Sequence, residues 1–585
     1  MKDSPTLTNR QAAELLSTLA DLLEIRGEQV YKVLAYRRAA ESILSLGREL
    51  RAVWQAGELE SIPGVGRAIA EKLDELLRTG RLEFYERVAA EVPAGLVEVL
   101  RVGDVGPKKA ARFWKELGIT SLEELERAAQ QRRLRALPGM GERSEARILE
   151  SIAALRRRQS GRVLLGRARP VAEALLQQLR ALPGVWQAEA AGSLRRWRET
   201  VGDLDLLVAA AEPAEVTRAF SAFPQVERVL GLGGTKASAE LVDGLRVQVW
   251  VHPPERFGSA LQYATGSMAH NVRLRELALE RGLSLSEHGF RREQGGEILC
   301  AGEDDVYAQL GLPWIPPELR EDRGEIQAAV QGALPALVEA AHVRGELHAH
   351  SDWSDGRAPI AAMAEAAARA GLRYLVISDH SVSLGVANGL SIERLRAQGE
   401  AIAAVQAQVG EGLRLLRGAE VEIRADGALD YPEEVLAGLD VVTASIHTSL
   451  RQSRPQVTQR LLAAIRSPHV DIIGHPTGRM IGQREGADLD METVLLEAAA
   501  RGVALEINAH PERLDLDEAH ARRAVELGCL LAVNTDAHGP EDFGLRPYGL
   551  GIARRAWVPP AAVINTWELG LLQDWLGARG RSRPA

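Results

Sequence analysis

The chain has 585 residues, with 71 Lys and Arg against 80 Asp and Glu and a formal net charge of −9. That length exceeds what one hydrophobic core organises, so several domains are expected, and the acidic balance argues against a generic nucleic-acid binder. The two cysteines, Cys300 and Cys529, make no CxxC or disulfide framework, and Met1-Lys-Asp-Ser-Pro-Thr lacks the apolar core of a signal peptide. With no apolar run of about eighteen residues, a cytoplasmic protein without membrane contact is expected.

The average charge hides a segregation. Arg101 to Pro170 carries 17 Lys and Arg against 8 Asp and Glu, including Arg132-Arg133, Arg135 and Arg156-Arg157-Arg158. Such an excess favours phosphate contact over a merely solvated helix face. In chain order, Ile62-Pro-Gly-Val-Gly-Arg-Ala-Ile-Ala70 puts Gly64 and Gly66 ahead of an amphipathic helix, a turn whose bare N–H groups can approach a phosphate. Val102-Gly-Asp-Val-Gly-Pro-Lys-Lys109 repeats the pattern through Gly106, Lys108 and Lys109, but with Asp104 where the first glycine is expected. Leu137-Pro-Gly-Met-Gly-Glu142 supplies Gly139 and Gly141. One such turn is weak evidence, whereas three spaced by roughly 35 to 40 residues point to sequence-independent DNA binding, and they resemble helix-hairpin-helix elements.

Further on, Gly192-Ser193-Leu-Arg-Arg196 precedes Glu199-Thr-Val-Gly-Asp203-Leu-Asp205-Leu-Leu-Val208. Asp203 and Asp205 alternate on a strand and share a face, an arrangement suited to two magnesium ions at a triphosphate, while the glycine-serine turn cradles the outgoing phosphates. This order resembles the nucleotidyltransferase superfamily. With Tyr31-Lys-Val-Leu-Ala-Tyr-Arg-Arg-Ala39, Ala70-Glu-Lys72, Gly234-Thr-Lys236, Pro254-Glu-Arg-Phe-Gly-Ser-Ala-Leu-Gln-Tyr-Ala-Thr-Gly-Ser267 and Ala269-His-Asn271, residues 1 to about 318 resemble a family X DNA polymerase.

That resemblance implies gapped or nicked DNA and dNTPs as partners. It implies that Lys32 and Tyr36 contact a 5′ end in the gap, and that Gly192, Ser193, Arg196, Lys236, Tyr263, Gly266, Ser267 and Asn271 hold the nucleotide. Asp203 and Asp205 would bind Mg2+ or Mn2+. Lys72 matches the lysine that forms a Schiff base with abasic sugar in polymerase beta, and an exposed helix lysine accounts for it equally well.

The sequence departs from this family where a third catalytic carboxylate belongs. Against the pattern V-D-L-R-V-V-P-P-E it reads Val247-Gln-Val-Trp-Val-His-Pro-Pro-Glu255, so position 248 is glutamine. A neutral amide removes one metal-binding charge and any base role. Neither Asp243, at a hairpin tip with Gly244, nor Glu240, on the strand before it, is expected to substitute. Ala264 stands where the family usually has phenylalanine at the sugar pocket.

In the last third, His348-Ala-His350 and Asp536-Ala-His538 each set two ligand side chains on one strand face. Between them come Asp355, His380 after Tyr374 to Ile377, Glu420, His447 after Leu439 to Ile446, and His475 after Val470 to Gly474. Six of the thirteen histidines thus fall at the ends of candidate strands, where α/β folds keep their ligands. Apolar strands alternating with helices such as Pro359 to Ala370 and Met491 to Arg501 suit a (β/α) barrel. Glu346-Leu-His-Ala-His-Ser351, Ser354-Asp-Gly356, Ser378-Asp-His380, Gly418-Ala-Glu420, Ser445-Ile-His447, Gly474-His-Pro476 and Thr535-Asp-Ala-His538 resemble the polymerase and histidinol phosphatase (PHP) family. The resemblance implies a distorted seven-stranded barrel, up to three divalent ions with Glu420 bridging two of them, and phosphoester hydrolysis. No thiolate takes part, so Mn2+ and Zn2+ both fit the ligand set.

The whole chain resembles the bacterial family X polymerase fused to a PHP domain. The expected architecture is multidomain: an α-helical helix-hairpin-helix region, an α+β nucleotidyltransferase palm and thumb, and a C-terminal distorted (β/α)7 barrel. Its limits are a DNA-end-binding helical domain at 1–85, helical fingers at 86–160, a palm at 161–255, a thumb at 256–318, a linker at 319–343, the barrel at 344–576 and a disordered tail at 577–585. One functional reading is a DNA repair enzyme that fills short gaps, weakly because of Gln248, and trims 3′ ends with its PHP half. A second leaves the polymerase half as a DNA-docking platform with only the nuclease working. A third, a small-molecule phosphatase, leaves the phosphate-binding turns without a purpose.

Overall fold

The computed structural model describes residues 9–578, apart from Ser45, Gly47, Arg48, Ala94, Arg101, Gly103, Asp104, Pro138, Gly139, Arg143, Ala146, Arg147, Glu150 and residues 153–161, and apart from the side chains of Arg10, Pro107 and Lys108. Asp104, Gly139, the Lys108 side chain, the Arg156 to Arg158 run and most of the expected tail therefore lie outside the described residues. The chain forms two compact units, Met1–Gly161 and Arg162–Ala585.

The first unit is helical: α1 Asn9–Arg26, α2 Val30–Leu44, α3 Leu50–Gln55, α4 Arg67–Thr79, α5 Glu83–Glu91, α6 Leu96–Val99, α7 Pro107–Leu117 and α8 Leu122–Gln130. In α1 the apolar residues Ala12, Leu16, Leu19 and Leu23 recur at helical spacing and are fully buried, each leucine contributing about 1.5–3 kcal/mol. The turn before α4 needs glycine. Gly64 sits at φ +80°, and a Cβ there would press on Arg38 Cβ at 3.1 Å, so its absence lets the turn close on α2. Gly66 caps α4 and Gly106 caps α7, which has proline in its first turn, and left-handed Gly80 and Gly118 end the same two helices. Ser121 starts α8 by accepting from the Glu124 amide.

The second unit opens with β1 Val163–Leu164, α9 Leu165–Arg180, β2 Val185–Ala190, α10 Gly192–Arg195, β3 Thr200–Val201, β4 Leu204–Ala210, α11 Pro213–Ser221, β5 Val226–Leu232, β6 Lys236–Leu241 and β7 Arg246–His252. Five of these strands form one sheet in the order β2-β4-β7-β6-β5. β4 runs parallel to β7 and pairs Asp205 with Gln248, while Asp203, expected on the same strand, falls just before β4 begins. Next come α12 Phe257–Thr265, α13 Met268–Leu279, the antiparallel β8 Leu283–Ser286, β9 Gly289–Arg292 and β10 Glu297–Ile298, and α14 Glu303–Gln309.

Residues 319–343, expected as a linker, are packed instead. Arg320, Glu325 and Val338 are fully buried, and the Arg320 guanidinium meets Glu303 Oε1 at 2.5 Å. Burying a guanidinium requires a paired carboxylate, and α14 supplies it.

The remainder is a parallel seven-stranded sheet in strict chain order: β11 Gly345–Glu346, β12 Tyr374–Ile377, β13 Arg414–Glu422, β14 Val441–Ser445, β15 Ile472–Ile473, β16 Ala504–Asn508 and β17 Leu531–Asn534. Beyond the first and last strands, Ala349 and Ala537 form a parallel bridge, with His350 N donating to Ala537 O at 2.8 Å, which brings the edges together as a barrel. β12, β14 and β16 are buried along their whole length, as strands covered on both faces must be.

Candidate metal centre and nucleotide cleft

All nine ligand candidates converge at the carboxyl ends of the barrel strands. Three groups emerge in which one donor atom per residue lies within 4.8 Å of the others: His350 with Asp355, His380 and His538; His348 with His350 and Asp536; and His380 with Glu420 and His447. Glu420 is central. Its Oε2 lies 2.9 Å from His380 Nδ1, 3.4 Å from His348 Nε2 and 3.6 Å from His350 Nε2, and its Oε1 lies 2.9 Å from His475 Nε2 and 3.2 Å from His447 Nε2.

These donors fit divalent cations. His348 Nε2, His350 Nδ1, His380 Nδ1 and both Glu420 oxygens are buried, and despite these short separations none makes a hydrogen bond of adequate geometry, which is costly for polar atoms unless a cation completes them. Burial opposes ionisation of Glu420, but His447, His380 and His348 outweigh it and hold the carboxyl well below its usual range. Burial likewise works against the His380 cation, yet Glu420 and Asp355 push that imidazole up to about 10.

A surrounding shell orients the ligands, and the sequence reading missed it. His348 Nδ1 lies 2.7 Å from Glu506 Oε1, and Glu506 also accepts from the His475 amide at 2.6 Å and Asn534 Nδ2 at 3.0 Å. His447 Nδ1 meets Glu422 Oε2 at 2.8 Å, and Glu422 also takes Arg460 Nη2 at 3.1 Å. Asp379 accepts from the Ser351 amide at 2.7 Å and from Ser354 and Gln398, fixing the loop that carries Asp355. Carboxylates behind imidazoles set tautomer and ring orientation. The alternation Glu420-x-Glu422 was the available signal for one of them.

Beside the sheet of β2–β7, Gly192, Ser193, Arg196, Asp203, Asp205, Tyr263, Gly266 and Asn271 line one cleft of about 330 Å³, together with Ala264, Met268 and Arg275. Gly192, at φ +58°, lies so near Asp205 Oδ2 that any Cβ would collide with it. Burial, and then Asp203 beside it, push the Asp205 carboxyl up to about 7 against the pull of Lys236 and Arg196. Gln248 reaches the same place: its Nε2 donates to Asp203 Oδ2 at 2.9 Å. Arg275 lines the cleft as a cation that the sequence reading did not single out.

Several of these candidates also make contacts within the protein. Lys236 Nζ stacks on the Trp250 ring, 3.9 Å from its centroid. The Ser267 hydroxyl accepts from the His270 amide and caps α13, while its own amide donates to Arg320 O. Asn271 bonds Tyr263 O and Gln262. Glu240 is held by Arg228 at 2.6 Å and lies opposite Arg246, and Asp243 sits in the β6–β7 turn near Arg167, so neither completes the carboxylate set.

In the first unit, Lys32 and Lys72 both face the Phe84 ring, at 5.6 and 5.1 Å from its centroid, and Tyr36 stacks on that ring and is buried, which pushes its hydroxyl up to about 12. Lys32 also pairs with Glu28 at 3.1 Å, and Lys72 donates to Ala68 O. Within the basic stretch, Arg135 is taken up by the buried Glu145 at 2.7 Å, whereas Arg132 and Arg133 are exposed. Gly141 is exposed, with open space where a side chain would be.

The chain matches a helix-hairpin-helix domain family over residues 7–82, a SAM-like helix-hairpin-helix tandem over 96–154, the DNA polymerase beta thumb over 260–321 and the PHP domain over 346–510. It is 38% identical to the DNA polymerase/3′-5′ exonuclease PolX of Bacillus subtilis (strain 168), across 96% of this chain and 98% of that one. It is 28% identical to DNA polymerase lambda of Rattus norvegicus over 54% of this chain and 56% of that one, and 31% identical to a probable phosphatase of Thermoanaerobacter sp. (strain X514) over 40% and 95%. The PHP match stops at residue 510, while the fold brings in Asp536 and His538 from beyond it. No helix among the described residues is long and apolar enough to cross a membrane.

Proposed function

Because the chain belongs to the family of the DNA polymerase/3′-5′ exonuclease PolX, family X polymerases joined to a PHP domain, we propose that it fills short gaps in DNA and trims 3′ ends. The observation that carries the nuclease assignment is the buried set of unpartnered imidazole and carboxylate atoms around Glu420. Divalent ions bound there would polarise a phosphoester and activate water, with Mn2+ or Zn2+ suited to the nitrogen and oxygen donors. Glu506 and Glu422 hold His348 and His447 in the orientation that presents Nε2 to the cluster. The assignment is tested by incubating a 5′-labelled single strand with the protein. Metal-dependent shortening from the 3′ end that vanishes in Glu420→Gln is expected, and shortening that survives both chelation and Glu420→Gln would overturn it.

Asp203 and Asp205, with Mg2+ or Mn2+, and the cleft formed with Gly192, Ser193, Arg196, Tyr263, Gly266 and Asn271 support nucleotide transfer from dNTPs onto gapped or nicked DNA. Gln248 favours a second reading. It donates to Asp203 where the family places a carboxylate, so a catalytic metal loses a ligand and one oxygen of Asp203, one of the two carboxylates left, is already engaged. On that reading the polymerase half docks DNA for the nuclease. The half-buried position of Lys72 beside Lys32 and Phe84 is compatible with a lyase role, checked by borohydride trapping of an abasic end.

A further inference from the structure

The loops that follow β15 and β16 are tied together beside the metal centre. Ile481 N donates to Glu512 O at 2.7 Å, and Thr477 and Gly478 amides donate to Asp515 at 3.0 and 2.9 Å. Arg479 binds the Arg513 and Leu514 carbonyls at 2.8 and 2.5 Å, and its charge is met by Glu199, at the turn leading into β3, at 2.7 Å.

The cations these loops carry are not used in that way. Arg513 Nε lies 3.9 Å from Asp536 Oδ2, beyond hydrogen-bond reach, with the side chain about one-fifth exposed. Arg484 donates to Gly478 O at 2.8 Å, and no carboxylate pairs with it among the described residues. The two are near enough that Arg513, after burial, contributes to holding the Arg484 guanidinium below its usual value. Two other guanidinium groups of the barrel are neutralised directly, Arg460 by Glu422 at 3.1 Å and Arg523 by Glu492 at 2.6 Å. Two guanidinium groups brought together at the rim of a metal centre, neither bonded to an acid, form a surface that matches a polyanion.

Resting on the nuclease reading above, we propose that Arg513 and Arg484 form a clamp for the backbone phosphates next to the scissile bond. The Arg479–Glu199 pair positions that clamp by fixing the Arg513 backbone.

The full chain, loaded with Mn2+, is assayed on a single-stranded oligonucleotide and on bis(p-nitrophenyl) phosphate, which has no flanking phosphates. Arg513→Ala and Arg484→Ala are each expected to raise KM for the oligonucleotide by about tenfold or more. Each should also reduce the slope of log KM against log salt by about 0.7. Hydrolysis of the small diester and Mn2+ binding by calorimetry should stay at wild-type levels, and Arg513→Lys should recover part of the oligonucleotide KM. Unchanged oligonucleotide KM and salt slope would overturn the clamp, as would an equal loss on both substrates with weakened Mn2+ binding, which would mean that Arg513 only balances Asp536. A wild type that cleaves neither substrate would remove the nuclease reading itself, and the clamp with it.

Discussion

Gln248 decides how much polymerase chemistry one residue can withdraw. Its amide sits in register with Asp205 and donates to Asp203, so it both lacks a charge and engages an oxygen a metal would use. Gln248→Asp should therefore raise nucleotide incorporation at least about tenfold, since a metal contact of this kind is worth several kcal/mol. Single-turnover extension in Mg2+ measures it, and an unchanged rate would place the deficit elsewhere in the cleft. In the barrel, Glu506→Gln removes the carboxylate behind His348 and should weaken Mn2+ binding about 10–100-fold, read by calorimetry. That the nine ligand candidates would come together was legible because alternation on a strand and a position at its end are visible in one dimension. Glu506 and Asp379 were not, because the partners of each buried carboxylate come from other segments of the chain and leave no spacing to read. What the motif could not show for Ser267 and Lys236 is their contacts within the protein, a helix cap for one and a tryptophan face for the other.

At the scale of elements, the polymerase and PHP parts of the second unit meet through a charge network. Glu321 bonds Arg196 Nε at 3.0 Å and Arg555 Nη1 at 3.0 Å, and Glu518 takes Arg323 at 2.7 Å, Arg198 at 3.5 Å and Arg555. Trp197 lies edge-on to Tyr548, and Gly551 is glycine because a Cβ would enter the Trp197 ring. Burial works against the Glu321 anion, but Arg555, Arg196 and Arg198 bring its carboxyl down to about 2. A depressed folded value stabilises above the unfolded one and is lost as pH falls, so this contribution should disappear between about pH 5 and pH 2. Glu321→Gln should lower stability at neutral pH by about 3 kcal/mol and flatten the acid side of the Tm against pH curve. A variant curve parallel to wild type would separate Glu321 from the acid transition. The segment 319–343 misled the sequence reading here. Its charged and then Ala-rich composition looks solvated, yet Glu321 and Arg323 are partnered by Arg196 and Glu518, each more than a hundred positions away.

For the whole molecule, the order of functions along the chain was legible in the sequence. Helix-hairpin-helix turns, paired carboxylates and ligand-ended strands are local patterns, and a strictly sequential parallel barrel keeps its strands in the order they are written. The closure between Ala349 and Ala537 and the tie between Glu199 and Arg479 were not, because both join segments far apart in the chain.

The most direct test joins both activities in one tube. A labelled primer on a one-nucleotide gap is incubated with dNTPs and Mg2+ or Mn2+, using wild type, His348→Ala and His348→Ala with Asp203→Ala. The account predicts shortening by the wild type, and extension by His348→Ala that the added Asp203→Ala abolishes. Shortening without extension by His348→Ala in either metal would contradict it, and would leave a nuclease docked on DNA by a silent polymerase half.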